Sequence, residues 1–143
     1  MIKVVLDTNV FVSAVIKADS KPGRILELVR SGGLELCVSP DILEEIRATL
    51  AYPKLEKFHR RDSKWIASFI RELSAMAKTT PGKTISEAIE SDPSGNIYLV
   101  CALEGKADFI VSGDHHLTDL KEYRGIRILN PAAFLEIIGQ RIE

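Results

Sequence analysis

The chain has 143 residues, of which 45% are hydrophobic and 27% are charged, and its formal net charge at pH 7 is −1. This length is enough for one domain with a substantial core, so a single domain over residues 1–143 is expected. The charge gives no global sign of nucleic-acid binding, no apolar run approaches the roughly 18 residues of a membrane span, and no signal peptide is evident. Cys37 and Cys101 each lie in an apolar run and are expected as buried thiols of a cytoplasmic protein.

Short apolar runs predict the strands of a sheet. The first, residues 2–6, is nearly continuous and rich in β-branched residues, as is typical of a strand buried on both faces of a parallel sheet, and Asp7 ends it. Three further strands are predicted at 34–38, 108–112 and 126–129. Helical segments separate these runs, so parallel crossovers and a helix-covered, mainly parallel α/β sheet are expected.

Capping residues and apolar residues at helical spacing predict the helices. Three dyads place a capping side chain directly before a proline, which favours the first turn of a helix: Ser39-Pro40, Asp92-Pro93 and Asn130-Pro131. Asp62 is expected to cap a helix whose apolar face runs from Trp65 to Ala77. Helices are also predicted at 10–16 and 24–30, and loops at 18–23 and 79–84.

Acidic residues occur where the strands of such a sheet end. Asp7 and Asp114 each follow a strand, and the carboxyl ends of parallel strands share one edge, so both are expected there. Glu45 lies nearer the apolar stripe of its helix than Glu44 does and is expected to point inward. Carboxylates gathered in one crevice repel each other unless a cation is present, and ligands that are all oxygen favour Mg²⁺ or Mn²⁺. The pattern therefore predicts a metal-dependent nuclease or phosphatase site.

Each candidate also has an ordinary structural explanation. Asp7 can serve as a capping residue at the end of its strand, Asp114 can cap a short helix, and Glu45 can be a solvated helix acid. His115 and His116 are adjacent, and on a helix their side chains point about 100° apart, so surface positions are favoured over a zinc site.

A local excess of positive charge lies between residues 53 and 64. The five basic residues there outnumber Glu56 and Asp62, and they are Lys54, Lys57, Arg60, Arg61 and Lys64. Such a segment is commonly a solvated face. Beside an acidic nuclease crevice it is also a candidate contact for the phosphate backbone of RNA.

Four segments together resemble the PIN-domain family, particularly its small prokaryotic VapC-like branch: VVLDTNVFVSA, SPDILEEI, DPSGNIYLVCALEGKADFIVSGDHHL and IRILNP. The resemblance covers almost the whole chain. It implies a three-layer α/β/α sandwich, an acidic cluster that binds Mg²⁺ or Mn²⁺, and ribonuclease activity on single strands. It gives catalytic, metal-binding roles to Asp7, Glu45 and Asp114, and supporting roles to Thr8, Asn9 and Ser112. It also implies an antitoxin partner and a homodimer.

One position departs from the family pattern. The third acid of the family lies in the first turn of the helix that starts at Asp92-Pro93, where this chain has Gly95 and Asn96. Asp92 is a nearby acid that serves equally well as a helix cap or as a metal ligand. Asn96 offers an amide oxygen to a cation or to a metal-bound water, but it supplies no charge.

The main functional hypothesis is a metal-dependent endoribonuclease that acts as the toxin of a toxin–antitoxin pair. The alternative is a catalytically weakened PIN-like domain that binds RNA or another protein. A phosphatase with Asp7 as its nucleophile is less favoured, because Asn9 stands where such enzymes often place a proton-donating acid.

Overall fold

The computed structural model describes residues 1–83 and 93–142, without the side chains of 93–96 and 140–142. Its strands form one sheet in the order β3-β2-β1-β4-β6-β5, parallel throughout except that β5 pairs antiparallel with β6. The strands are β1 (Lys3–Leu6), β2 (Glu35–Val38), β3 (Lys78–Thr79), β4 (Phe109–Val111), β5 (Glu122–Tyr123) and β6 (Ile126–Leu129).

Helices cover this sheet and confirm the predicted three-layer α/β/α architecture. They are α1 (Thr8–Ile16), α2 (Lys21–Arg30), α3 (Pro40–Leu50), α4 (Pro53–His59), α5 (Ser63–Met76), α6 (Pro93–Gly105), α7 (His115–Thr118) and α8 (Pro131–Ile142). Helix α6 packs against β1, β2 and β4, while α1 packs against α2, α3 and α4. In the described part of the chain, no helix combines the length and the apolar character needed to cross a membrane.

Strand β1 lies in the middle of the sheet, between β2 and β4. This position explains its apolar run, because both faces of a central strand are covered by helices and Val4, Val5 and Leu6 are buried. Leu6 is paired with Val111 of β4. The residues that follow these two strands therefore leave the sheet side by side at its carboxyl edge.

The predicted capping signals are confirmed where the structure describes them. Ser39 Oγ accepts a hydrogen bond from the Ile42 amide at 3.3 Å, Asp62 Oδ1 accepts one from the Trp65 amide at 2.8 Å, and Asn130 Oδ1 accepts one from the Ala133 amide at 2.8 Å. Asp92 lies outside the described residues. Both cysteines are buried and free, as predicted.

Two predicted loops are partly wrong. Helix α2 begins at Lys21 rather than at residue 24, because Ser20 caps it through the Gly23 amide and Pro22 lies in its first turn. Strand β3 includes Thr79, where a loop was expected, because main-chain pairing with β2 places Thr79 opposite Val38. Strand β5 and helix α4 are additional elements that the sequence pattern does not predict.

Candidate active site

Asp7 lies at the junction between β1 and α1, and its side chain is only 5% exposed. Its extended backbone lets the side chain cap α1, where Oδ1 accepts a hydrogen bond from the Asn9 amide at 3.3 Å. The other carboxylate oxygen, Oδ2, accepts a hydrogen bond from the Ser112 hydroxyl at 2.6 Å. Asp7 therefore has the predicted capping role and also faces the end of the neighbouring strand.

Ser112 connects Asp7 with Asp114. Its hydroxyl is fully buried and accepts a hydrogen bond from the Asp114 amide at 2.9 Å while it donates to Asp7. The Asp114 side chain is partly buried and caps α7, because Oδ1 accepts a hydrogen bond from the His116 amide at 2.9 Å. His115 and His116 are exposed. Asp7 and Asp114 are thus linked at the same edge of the sheet through one serine.

Glu45 enters the same region from α3 and is held by a tyrosine. Its side chain is partly buried, in the predicted orientation, whereas Glu44 is exposed and pairs with Arg47. The Tyr98 hydroxyl lies 2.9 Å from Glu45 Oε2 and 2.6 Å from Thr8 Oγ1. The Thr8 amide also donates to the Tyr98 oxygen, at 3.2 Å. Tyr98 therefore joins Glu45 to the first residue of α1.

The proton count fixes the direction of these bonds. A tyrosine hydroxyl has one proton, and an ionised carboxylate only accepts hydrogen bonds. Tyr98 therefore donates to Glu45, and its oxygen accepts from the Thr8 amide. While Glu45 holds the phenolic proton, the 2.6 Å contact between the two hydroxyls requires the Thr8 hydroxyl to donate. Burial, together with the nearby charges of Asp7 and Glu45, raises the pKa of Tyr98 well above its usual value, so the phenol is neutral at physiological pH.

These acids have no cationic partner among the described residues. The ion pairs found there are Arg30–Glu72 and Arg47–Glu44, and neither includes Asp7, Glu45 or Asp114. A buried carboxylate without a counter-charge is costly, and a donor set made only of oxygen atoms suits Mg²⁺ or Mn²⁺. The described residues thus fit a divalent cation in charge and in donor type.

The described acids do not form a complete set of metal ligands by themselves. No group of three or more His, Cys, Asp or Glu side chains within the described ranges is placed to hold a metal ion. Gly95 and Asn96 lie in the first turn of α6, but the Asn96 side chain and the whole of Asp92 lie outside the description. The roles of Asp92 and Asn96 stay predictions.

Tyr98 is the site residue that the sequence interpretation missed. It stands in the apolar run IYLVCAL, where spacing favours core packing. A usable signal was present, because a buried tyrosine hydroxyl usually needs a hydrogen-bond partner. The partners themselves, on α1 and α3, could not be identified from local sequence.

The predicted RNA-binding residues form an exposed surface at α4 and the turn after it. We call Lys54, Lys57, Arg60 and Arg61, with Phe58, the basic surface. All five side chains are exposed, Phe58 to 62%. A depression of about 460 Å³ is lined by Pro53, Glu56, Lys57, Arg60, Arg61 and Asp62. The Arg61 guanidinium lies 4.7 Å from the centre of the Trp65 ring.

The fold and the site together define a class of α/β proteins that gather acids at the carboxyl edge of a parallel sheet, where such folds bind their ligands. The PIN domain family model matches residues 3–116, and the chain belongs to the PIN-domain family. PIN domains are generally nucleases, and those nucleases typically use divalent metals.

Two individual proteins are similar to this chain. "Uncharacterized protein MJ1680" of Methanocaldococcus jannaschii is 33% identical over 121 residues, which are 85% of this chain and 76% of that protein. The crystal structure of VapBC2 from Rickettsia felis bound to a DNA fragment from their promoter contains a chain with a similar fold. That match has a TM-score of 0.61 and 14% identity, and it covers 90% of this chain and 98% of the other.

Proposed function

We propose that this protein is a VapC-like, metal-dependent endoribonuclease that cleaves single-stranded RNA in the cytoplasm, as the toxin of a type II toxin–antitoxin pair. One observation carries the proposal: the buried Asp7 carboxylate is linked through Ser112 to Asp114, and no described cationic side chain pairs with either acid. Membership of the PIN-domain family supports nuclease chemistry for that arrangement.

In this proposal Asp7, Glu45 and Asp114 hold Mg²⁺ or Mn²⁺, with Asp92 and Asn96 as further candidates. When bound, the ion supplies Lewis-acid polarisation of the phosphate and activation of a water molecule. The chain's own residues orient the ligands. The Ser112 hydroxyl fixes Asp7 Oδ2, and the Tyr98 hydroxyl fixes Glu45 Oε2, so neither carboxylate has to be reoriented at the moment of binding.

The basic surface is the proposed contact for RNA. None of its basic residues forms an ion pair with a described acid, so their charges are available to phosphates. The exposed Phe58 ring offers a face on which an unpaired base can stack. Helix α4 packs against α1 and α3, the helices that carry Thr8 and Glu45.

An antitoxin and a second copy of the chain are the proposed protein partners. The similar fold occurs in a VapBC2 assembly, which supports an antitoxin, while the homodimer follows from the family resemblance. Co-expression with the neighbouring gene product followed by size-exclusion chromatography tests both, since an antitoxin co-elutes with the chain and a dimer has twice its mass.

Cleavage of a labelled single-stranded RNA in the presence of Mn²⁺ tests the activity. Wild-type protein is expected to cut the single strand and to leave a duplex of the same sequence intact. The Asp7→Asn and Glu45→Gln variants are expected to lose cutting, whereas Glu44→Gln retains it because Glu44 is exposed and pairs with Arg47. Cutting by Asp7→Asn at the wild-type rate contradicts the proposal.

The non-catalytic alternative is favoured by one observation, the Gly95 and Asn96 pair in place of a third acid. It predicts RNA binding that depends neither on divalent metal nor on Asp7. Fluorescence anisotropy with EDTA and with Asp7→Asn separates the alternatives, provided that cleavage is assayed on the same protein preparations.

A further inference from the structure

We propose that Tyr98 is a positioning residue of this site, whose hydroxyl orients the Glu45 carboxylate toward a divalent cation and fixes it to the start of α1. The inference rests on the proposed function, because it concerns how this chain prepares one of its metal ligands. It adds a residue outside the acid and polar set that the sequence resemblance assigns.

The placement of Tyr98 supports this role. The residue is 3% exposed and lies on α6, which packs against β1, β2 and β4 in the centre of the sheet. Its hydroxyl contacts two other helices, at Thr8 of α1 and at Glu45 of α3. The Tyr98 ring therefore lies in the core, and its hydroxyl lies where α1, α3 and α6 meet.

The Tyr98 hydroxyl has one proton, and it is donated to the Glu45 carboxylate. The Thr8 amide donates to the Tyr98 oxygen, and the hydroxyls of the two residues lie 2.6 Å apart. Because a carboxylate only accepts hydrogen bonds, the contact between Tyr98 and Glu45 is donated by Tyr98. Among the residues that the structure describes, Tyr98 is the only donor to Glu45. Without it, the half-buried carboxylate has no hydrogen bond or ion pair to a described residue.

A purely structural role is the competing explanation. In that case the ring fills the core, and the hydroxyl merely satisfies the Thr8 amide, one of the donors that a helix start leaves without an intrahelical partner. The two explanations differ in what removal of the oxygen changes. A positioning role changes metal affinity and turnover, whereas a structural role changes only the melting temperature.

The Tyr98→Phe variant removes the oxygen and keeps the ring. We expect Mn²⁺ affinity, measured by electron paramagnetic resonance of free Mn²⁺ without RNA, to fall by about 10- to 100-fold, as is typical for residues that orient a metal ligand. We expect kcat to fall similarly and KM for RNA to change less than about twofold, because α4 is untouched. The matched control is Tyr123→Phe on the edge strand β5, which should leave the Mn²⁺ affinity, kcat and KM unchanged.

A double-mutant cycle tests whether Tyr98 acts through Glu45. In a Glu45→Gln background, Tyr98→Phe is expected to change Mn²⁺ affinity no further, because the carboxylate that it orients is gone. Effects that add independently overturn the proposal. So does a Tyr98→Phe variant that melts earlier but binds Mn²⁺ and cuts RNA like wild type.

A measurement on the wild-type protein covers the case in which Tyr98→Phe does not fold. With ring-labelled tyrosine, Mg²⁺ is expected to shift the Tyr98 resonance in the wild type and not in Glu45→Gln. The absence of any Mg²⁺-dependent tyrosine shift overturns the proposal. If wild-type protein neither binds Mn²⁺ nor cuts RNA, the proposed function fails as well; if it does both and Tyr98→Phe matches it, only the role of Tyr98 fails.

Discussion

The Ser112 hydroxyl donates a 2.6 Å hydrogen bond to Asp7 Oδ2, although the two residues are 105 positions apart in the chain. They meet because β1 and β4 are adjacent parallel strands in which Leu6 is paired with Val111. The same serine accepts a hydrogen bond from the Asp114 amide. A side chain that is fully buried at the end of one strand thus orients the acid at the end of the next.

The first prediction concerns this serine. Ser112→Ala is expected to lower RNA cleavage by about 10- to 100-fold, because Asp7 Oδ2 loses the donor that orients it. It should also cost about 1–3 kcal/mol of unfolding free energy, since the buried Asp7 Oδ2 loses its donor and the partly buried Asp114 amide loses its acceptor. Cleavage assays and urea unfolding measure the two effects. Ser68→Ala on the exposed side of α5 is the control. Equal RNA cleavage by the two variants contradicts the role of Ser112.

The second prediction concerns the close approach of α6 to β2. A Cβ added at Gly105 would lie 2.8 Å from Cys37 Sγ and 3.2 Å from Cys37 Cβ, closer than van der Waals contact allows. Gly105→Ala is therefore expected to destabilise the fold by about 1–3 kcal/mol, as overpacking of a core does. The melting temperature measures this effect, and Cys37→Ala in the same chain should recover part of it by removing the sulfur.

A glycine in open surroundings provides the matched control. Gly139 lies in α8, and an added Cβ there meets no atom within 4 Å. Gly139→Ala is expected to stabilise the protein by up to about 1 kcal/mol, because alanine favours the helix over the unfolded chain. The expected changes in unfolding free energy have opposite signs: Gly105→Ala lowers it and Gly139→Ala raises it. A Gly139→Ala variant that is less stable than wild type contradicts this expectation.

The third prediction concerns alkaline pH. Burial raises the pKa of the Cys101 thiol from 9.0 to about 12, and the neighbouring hydroxyl of Thr80 only partly offsets this. Below pH 9 the Cys101 thiol keeps its proton in both the native and the unfolded chain, so this group adds no pH dependence to stability there. Between about pH 9 and 12 only the unfolded chain loses it, so stability falls as pH rises, by up to about 1.4 kcal/mol per pH unit from this group.

The Cys101→Ala variant isolates that contribution. Denaturant unfolding between pH 8 and pH 11 should show a shallower loss of stability in Cys101→Ala than in the wild type, whatever the difference between them at pH 8. A thiol reagent at pH 8 should also modify the native wild type slowly and the unfolded chain rapidly, because both cysteines are buried. Parallel pH profiles for the two proteins contradict the assignment.

The fourth prediction concerns the basic surface. Replacing Lys54 and Lys57 with glutamine is expected to weaken binding of single-stranded RNA and to make its salt dependence shallower, by about 0.7 in log–log slope for each phosphate that the protein no longer neutralises. Phe58→Ala should weaken binding without a change in slope, because stacking involves no counterion release. Anisotropy titrations at several salt concentrations, on the inactive Asp7→Asn background, measure both effects.

Two other lysines control for net charge. Lys17 at the end of α1 and Lys106 after α6 are exposed and lie outside the basic surface. Their replacement by glutamine removes the same charge and is expected to leave the RNA affinity and the salt slope close to wild type. If this pair weakens binding as much as the Lys54 and Lys57 pair does, RNA responds to net charge and the surface is not specific.

The elements that sequence alone determined are those whose signals are local. A continuous apolar run marked β1 as a central strand, and a capping side chain before proline marked the starts of α3 and α8. Asp62 likewise marked α5. Because parallel strands end at one edge, these elements were enough to predict that Asp7 and Asp114 share it.

Tertiary structure decided the rest, because the causes are distant in the chain. Strands β3 and β5 have two residues each, too few to show a period, and they exist through pairing with β2 and β6. Tyr98 reaches Glu45 and Thr8 across 53 and 90 positions of sequence. The local pattern gave Tyr98 no role, and only the packing of α6 against the sheet determined that its hydroxyl meets an acid.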